Sequence, residues 1–220
     1  MKFVVVPVYN EEKRIKQVVE NLVDLGMEIV VVDDCSSDGT RKELLGLPVH
    51  VLGHDINLGQ GAALKTGSEY ARISGAEVIA HYDGDGQHRK EDLVKLMAQM
   101  DQGEHDVVLG SRFMELKSKI PMKKKVILFL AKMLSKTLLQ LHYTDPQSGL
   151  RVIKADKLDQ LDWQKYDFQH CTEILGLIRK NKLKYIEMPI KVHYDEYSQN
   201  KKVRPQFRMG VKLLLNKILD

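Results

Sequence analysis

The chain has 220 residues, 43% of them hydrophobic and 29% charged, a globular composition with room for one sizeable core that excludes disordered and collagen-like chains. Two cysteines, Cys35 and Cys171, exclude a disulfide framework and predict a reduced, cytoplasmic protein. The apolar run Phe3 to Val6 stops at Pro7 and is soon followed by two glutamates, unlike a secretory signal. The longest apolar run, Val126 to Ala131, is too short to cross a bilayer, so no transmembrane anchor is expected. Net charge is +4, but residues 1–110 hold 11 Lys/Arg against 19 Asp/Glu and residues 111–220 hold 23 against 11. An acidic half suits a cation, and a basic half suits phosphate or an anionic surface. No helix-turn-helix, zinc-finger or ribonucleoprotein signature accompanies the basic half, so no nucleic-acid partner is expected.

In chain order, residues 2–8 read as a buried strand, and a helix runs from Asn10-Glu11-Glu12 to about Leu25 with Ile15, Val18, Val19 and Leu22 on one face. Residues 28–32 are a second buried strand, 40–46 a short helix, 48–52 a short strand and 59–74 a helix rich in small residues. A strand over 77–81, a helix over 90–100 and a strand over 106–109 follow. Strands that alternate with helices and are apolar throughout predict an α/β fold, an open, mostly parallel sheet with helices on both faces. Beyond Gly110 the pattern predicts a basic loop over 113–125, a long helix over 126–141 and a strand over 149–153. A helix over 168–180, a strand over 183–194 and a C-terminal amphipathic helix over 209–219 complete the chain. No linker is visible, and the expectation is one domain over 1–220.

Four loops fall at the C-terminal ends of predicted parallel strands, the edge where open α/β sheets bind ligands. Asp83-Gly84-Asp85-Gly86-Gln87 places two carboxylates and an amide at alternate positions, as a hard divalent cation requires; an Asx-Gly turn is the plainer reading. An EF-hand is excluded by His88 and Val94 at the positions that need glycine and glutamate. Asn10-Glu11-Glu12 suits a helix cap, and Tyr9 beside it offers a flat ring for stacking on a base. Asp33-Asp34 is either a turn or a grip on a base N–H or a ribose hydroxyl. Asn57-Leu58-Gly59-Gln60-Gly61 opens a helix whose glycines serve tight packing or a phosphate at the helix N-terminus, with packing the stronger reading. Neither a P-loop nor a GxGxxG spacing is present.

In their order, these loops resemble inverting family 2 glycosyltransferases of the GT-A fold, and among them the dolichyl- and polyprenyl-phosphate sugar synthases. The resemblance is carried by Pro7-Val8-Tyr9-Asn10-Glu11, the segment Asp33 to Thr40, Asn57 to Gly61, Asp83 to His88, Gly110-Ser111-Arg112 and Asp145-Pro146-Gln147-Ser148-Gly149-Leu150-Arg151. It implies a nucleotide-sugar and metal half over 1–110 and an acceptor half over 111–220. Pro7, Tyr9, Glu11 and Asp34 would hold the nucleotide, with Gly84 inside the metal loop. Asp83, Asp85 and Gln87 would bind Mg²⁺ or Mn²⁺ on the diphosphate, with Asp85 central to catalysis. Arg112 and Arg151 would face the donor or acceptor phosphates, and Glu173 would sit near the sugar or close the site. The synthases carry an arginine, then glycine, serine and lysine, after the last strand. Here Tyr194 to Lys202 stands in that place, and only Lys201 and Lys202 could fill the role.

The implied reaction moves a sugar from a GDP- or UDP-sugar to a lipid phosphate, or to a sugar hydroxyl. A phosphate acceptor needs no general base; a hydroxyl would need one, with Asp145 the candidate. Lys117, Lys119, Lys123, Lys124 and Lys125 precede the 126–141 helix, which suits a peripheral contact with a membrane but equally a core or dimer helix. A sugar nucleotidyltransferase is disfavoured, because PVYNEE stands where its basic glycine-rich loop would be. A non-catalytic nucleotide-sugar binding protein remains the other alternative.

Overall fold

The computed structural model describes residues 1–114 and 143–193. The expected helices over 126–141 and 209–219 lie outside these residues, as does Lys202. In order, the elements are β1 (Lys2–Val8), α1 (Ile15–Val23), β2 (Glu28–Asp33), α2 (Thr40–Glu43), β3 (His50–Gly53), α3 (Gln60–Ile73), β4 (Val78–His81), α4 (Lys90–Asp101), β5 (Val107–Ser111), β6 (Arg151–Lys154), a 3₁₀ helix (Ala155–Leu161), α5 (Gln169–Lys180) and β7 (Tyr185–Pro189). The strands form one sheet in the order β3-β2-β1-β4-β6-β5-β7. Every pairing is parallel except those of β6, which runs antiparallel to both β4 and β5.

The continuous apolar run of β1 is explained by burial on both faces. Phe3 and Val5 join a core with Val30, Val32, Ile79 and Ile153 under α3, the 3₁₀ helix and α5. Val4, Val6 and Val8 join a second core with Ile29, Val31 and Val152 under α1 and α4. Helix α1 buries the four residues that its periodicity singled out. It starts later than expected, at Ile15, where Arg14 before it departs from helical geometry (φ −133°), and Asn10 takes a left-handed conformation (φ 55°). Asn10 is not the helix cap, since Arg14 precedes the helix and no side chain caps it. The Asn10 N–H donates to Ser36 Oγ at 2.9 Å, and its side-chain oxygen accepts the Ser37 N–H at 2.8 Å. These bonds tie the loop after β1 to the loop after β2.

The glycines that open α3 serve packing. A Cβ on Gly59 would lie 2.4 Å from the Tyr166 carbonyl oxygen, and one on Gly61 2.6 Å from the Lys165 oxygen. The Gly61 N–H donates to Tyr166 O at 2.8 Å, so a backbone carbonyl takes one of the N–H groups at this helix start. The Trp163 indole N–H donates to Gly61 O at 2.9 Å, holding the 162–168 segment against α3.

Candidate active site

The loops after β1, β2, β4 and β5 and the turn before β6 gather at one end of the sheet. Gly84 lets the metal-type loop lie against β1, since a Cβ there would come within 2.9 Å of Pro7 O. Gly149 does the same on the other side, where a Cβ would stand 2.3 Å from an Asp83 carboxylate oxygen. Asp83 is thus wedged between β1 and the turn that leads into β6.

Each Asp83 oxygen has a donor. Gln60 Nε2 donates to Oδ1 at 2.6 Å, and His88 Nε2 lies 3.1 Å from Oδ2. Burial alone would raise the Asp83 pKa. The His88 hydrogen bond and the fields of His88, Arg151 and His170 outweigh it and hold the carboxyl below its ordinary range. Asp85 goes the other way, pushed up to about 6 by burial and then by the Asp83 charge. Its Oδ1 accepts the Gln87 N–H at 3.0 Å, and its backbone carbonyl accepts from Arg14 Nη1 at 2.6 Å. Gln87 is pinned by its own carbonyl, which accepts the His193 N–H at 2.9 Å.

Two carboxyls whose affinities for a proton diverge at a turn are what a counter-charge would relieve. Among the described residues, no three His, Cys, Asp or Glu side chains are gathered to enclose a metal ion. Asp83 and Asp85 with the Gln87 amide therefore offer part of a hard oxygen shell, open toward a ligand. Two of the roughly four lone-pair sites of Asp83 are spent on Gln60 and His88, and the rest are available. The donor chemistry fits a divalent cation that shares its shell with phosphate oxygens.

At the loops expected to hold the nucleotide, Glu11 is buried and its N–H donates to Thr40 Oγ1 at 2.8 Å. Tyr9 is half-buried beside it. Asp34 is buried, and its carboxylate accepts from Leu58 N–H at 2.9 Å, Gly59 N–H at 2.7 Å and His54 Nδ1 at 2.8 Å. It thereby shapes the 54–59 loop.

Arg112 and Asp145 form a bidentate pair, with Nε to Oδ2 at 2.6 Å and Nη2 to Oδ1 at 2.7 Å, and the Arg112 N–H adds a third bond at 3.0 Å. Arg151 is fully buried and points under α5, where Nη2 donates to Ser148 O at 3.0 Å and lies 3.3 Å from Cys171 Sγ. Burial would raise the Cys171 thiol pKa, yet the fields of His170 and Arg151 bring it down to about 7. The Glu173 carboxylate accepts the backbone N–H groups of Gln164 and Lys165, the latter at 2.7 Å. Of the expected residues, Pro7, Gly84, Asp83, Asp85 and Gln87 therefore form one connected unit. Arg112 and Asp145 form a second, and Glu173 braces the 162–168 segment. Gln60, His88 and Gly149 went unassigned on reading the chain. All three stand inside the quoted motifs, but nothing in the sequence joins Gln60 to Asp83.

The family described as Glycosyl transferase family 2 matches residues 3–162. The chain is a family 2 glycosyltransferase. This glycosyltransferase is 33% identical to the UDP-N-acetylglucosamine–dolichyl-phosphate N-acetylglucosaminyltransferase of Methanococcus voltae, over 99% of its own length and 98% of the relative's. It is 30% identical to the polyprenol monophosphomannose synthase of Mycolicibacterium smegmatis, over 85% of its length and 75% of that protein's. Among solved structures, the glucosyl-3-phosphoglycerate synthase of Mycobacterium tuberculosis in complex with UDP superposes with a TM-score of 0.69 at 17% identity, covering 96% of this chain and 75% of that one. This likeness confirms the GT-A fold.

Proposed function

We propose that this glycosyltransferase moves a sugar, with inversion at the anomeric carbon, from a GDP- or UDP-sugar to a polyprenyl or dolichyl phosphate, aided by Mg²⁺ or Mn²⁺. The observation that carries the reading is the Asp83–Asp85 loop, wedged by two glycines at the ligand-binding edge with its carboxyl pKa values driven apart. The lipid-phosphate acceptor is supported by the two relatives, whose names specify dolichyl phosphate and polyprenol monophosphomannose.

Asp83, Asp85 and Gln87 would hold the cation, with Gln60 and His88 fixing the orientation of Asp83. When bound, a divalent cation supplies Lewis-acid neutralisation of the charge that builds on the leaving diphosphate. The loops around Tyr9 and Asp34 hold the nucleotide, and Pro7 and Gly84 set how closely the two loops approach. Asp145 has both oxygens on Arg112, a poor state for a general base. A phosphate acceptor is already an anion and needs none. Arg112, oriented by Asp145, is then a cation for a phosphate. No helix among the described residues is long and apolar enough to cross a membrane. The glycosyltransferase would meet its lipid acceptor peripherally, through the lysines ahead of residue 126 and the basic second half.

The test is nucleoside diphosphate release from UDP- and GDP-sugars in the presence of a short polyprenyl phosphate, with and without a chelator. Turnover should require both the polyprenyl phosphate and the metal. Turnover on a soluble sugar hydroxyl alone would overturn the acceptor, and undiminished turnover in chelator would overturn the metal.

A further inference from the structure

The residue before Arg112 and the residue before its partner Asp145 are bonded to each other. Ser111 Oγ lies 2.5 Å from Thr144 Oγ1, and Thr144 Oγ1 lies 2.7 Å from Glu187 Oε1 on β7. A carboxylate only accepts, so the direction of both bonds is fixed. Thr144 gives its hydroxyl proton to Glu187, and Ser111 gives its own to Thr144. Ser111 Oγ in turn accepts the Phe113 N–H at 3.3 Å, which closes the turn that carries Arg112. Glu187 also holds the backbone on the other side of the pair. Its two oxygens share the Thr144 N–H at 2.9 and 3.0 Å, and Oε1 accepts the Asp145 N–H more weakly at 3.4 Å. Tyr143 anchors the near end of this segment, with its ring in the core and its hydroxyl on Leu175 O at 3.0 Å.

Arg112 spends Nε and Nη2 on Asp145. A guanidinium carries its donors in one rigid planar fork, so the plane that Asp145 sets is also the plane in which Arg112 meets a phosphate. A tilt of that plane misaims the charge without removing it. Resting on the reading that Arg112 meets the acceptor phosphate, we infer that Glu187 is a positioning residue for that phosphate. It aims Arg112 by fixing, through Thr144, both the turn that carries the arginine and the aspartate that grips it.

The test is sugar transfer by the full chain to a short polyprenyl phosphate, read as acceptor KM and kcat. Calorimetric titration of UDP and GDP with Mn²⁺, and a melting curve, accompany each variant. Glu187→Leu removes every bond to Thr144 and should raise the acceptor KM roughly tenfold or more, as loss of one aimed hydrogen bond to a charged group implies. Nucleotide affinity should not change. Glu187→Gln keeps an oxygen at the Oε1 position and should recover most of the loss. Thr144→Val removes the hydroxyl link alone and should fall between the two. In an Arg112→Lys background, where the fork is gone, Glu187→Leu should add nothing further to the acceptor KM. Nucleotide affinity that falls in step, or a Glu187→Leu effect that persists at full size in that background, would overturn the inference. So would an acceptor KM that Glu187→Leu leaves unchanged while Arg112→Lys raises it, and the reading of Arg112 would then stand. No transfer to polyprenyl phosphate, or an acceptor KM that Arg112→Lys does not move, would overturn that reading and this inference together. If Glu187→Leu fails to fold, Thr144→Val decides, and a wild-type acceptor KM in that variant would overturn the inference.

Discussion

Gly149→Ala should separate activity from stability. The new methyl group would start 2.3 Å from one Asp83 oxygen and 2.7 Å from the carboxyl carbon and the other oxygen, where ordinary contact begins at 3.4 Å. The atoms in the way are the end of a side chain, so the backbone need not move. Asp83 instead shifts by about 1 Å, a distance set by that contact gap. That shift breaks its bonds to Gln60 and His88, each worth about 1 kcal/mol net, so stability should fall by ~1–3 kcal/mol. Activity should fall far more, because a misplacement of about 1 Å in a positioned group costs on the order of 10²-fold. Nucleoside diphosphate release measured beside calorimetric unfolding gives both numbers. Gly176→Ala is the control: a Cβ there meets nothing within 4 Å in the middle of α5, and it should stabilise by roughly 0.5–1 kcal/mol with no kinetic effect. A Gly149→Ala enzyme with unchanged kcat/KM would refute the placement of Asp83 at the working end of the site.

Asp85 predicts a pH dependence with a definite sign. Its carboxyl titrates at about 6 when folded and near 3.8 otherwise, so the metal-free fold should lose stability as pH rises between these values. Over the same window Mn²⁺-dependent nucleotide binding should strengthen, levelling above pH ~6. Asp85→Asn should remove both slopes in a pH series of melting curves and titrations. Arg112→Met leaves the fully buried Asp145 carboxylate without its bidentate partner, and unfolding experiments should show a loss of ~3–5 kcal/mol. Sedimentation with anionic liposomes should succeed at low salt and fail at 1 M, where the Debye length is ~3 Å.

The sheet was legible because burial on both faces writes itself into the strands as continuous runs, as in residues 2–8. Helix α1 was legible because Ile15, Val18, Val19 and Leu22 repeat at the helical period. The motifs at strand ends gave the site loops, since polar side chains after a buried strand have nowhere to go but the sheet edge. What was not legible depends on contacts distant in sequence. Asn10 looks like a helix cap until Ser36 and Ser37 claim it. Arg151 looks like a phosphate ligand until register places it opposite His81 on β4, facing Cys171. Glu173 carries no local sign that it will hold the backbone of Gln164 and Lys165.

The place of β6 in the sheet constrains how the protein is born. Strand β5 pairs with β6 and β7 and not with β4. During synthesis, β1 to β4 can assemble from the first 81 residues, but β5 then has no neighbour to join. It must wait until residues 151–154 have emerged and slid between it and β4. Such non-local closure is slow and leaves a strand edge open to other chains in the meantime. The same insertion brings Gly149 onto Asp83 and Asp145 onto Arg112. Ribosome-bound chains that stop short of β6 should therefore carry the joined loops after β1 and β2 but lack the contacts of Gly149 with Asp83 and of Asp145 with Arg112.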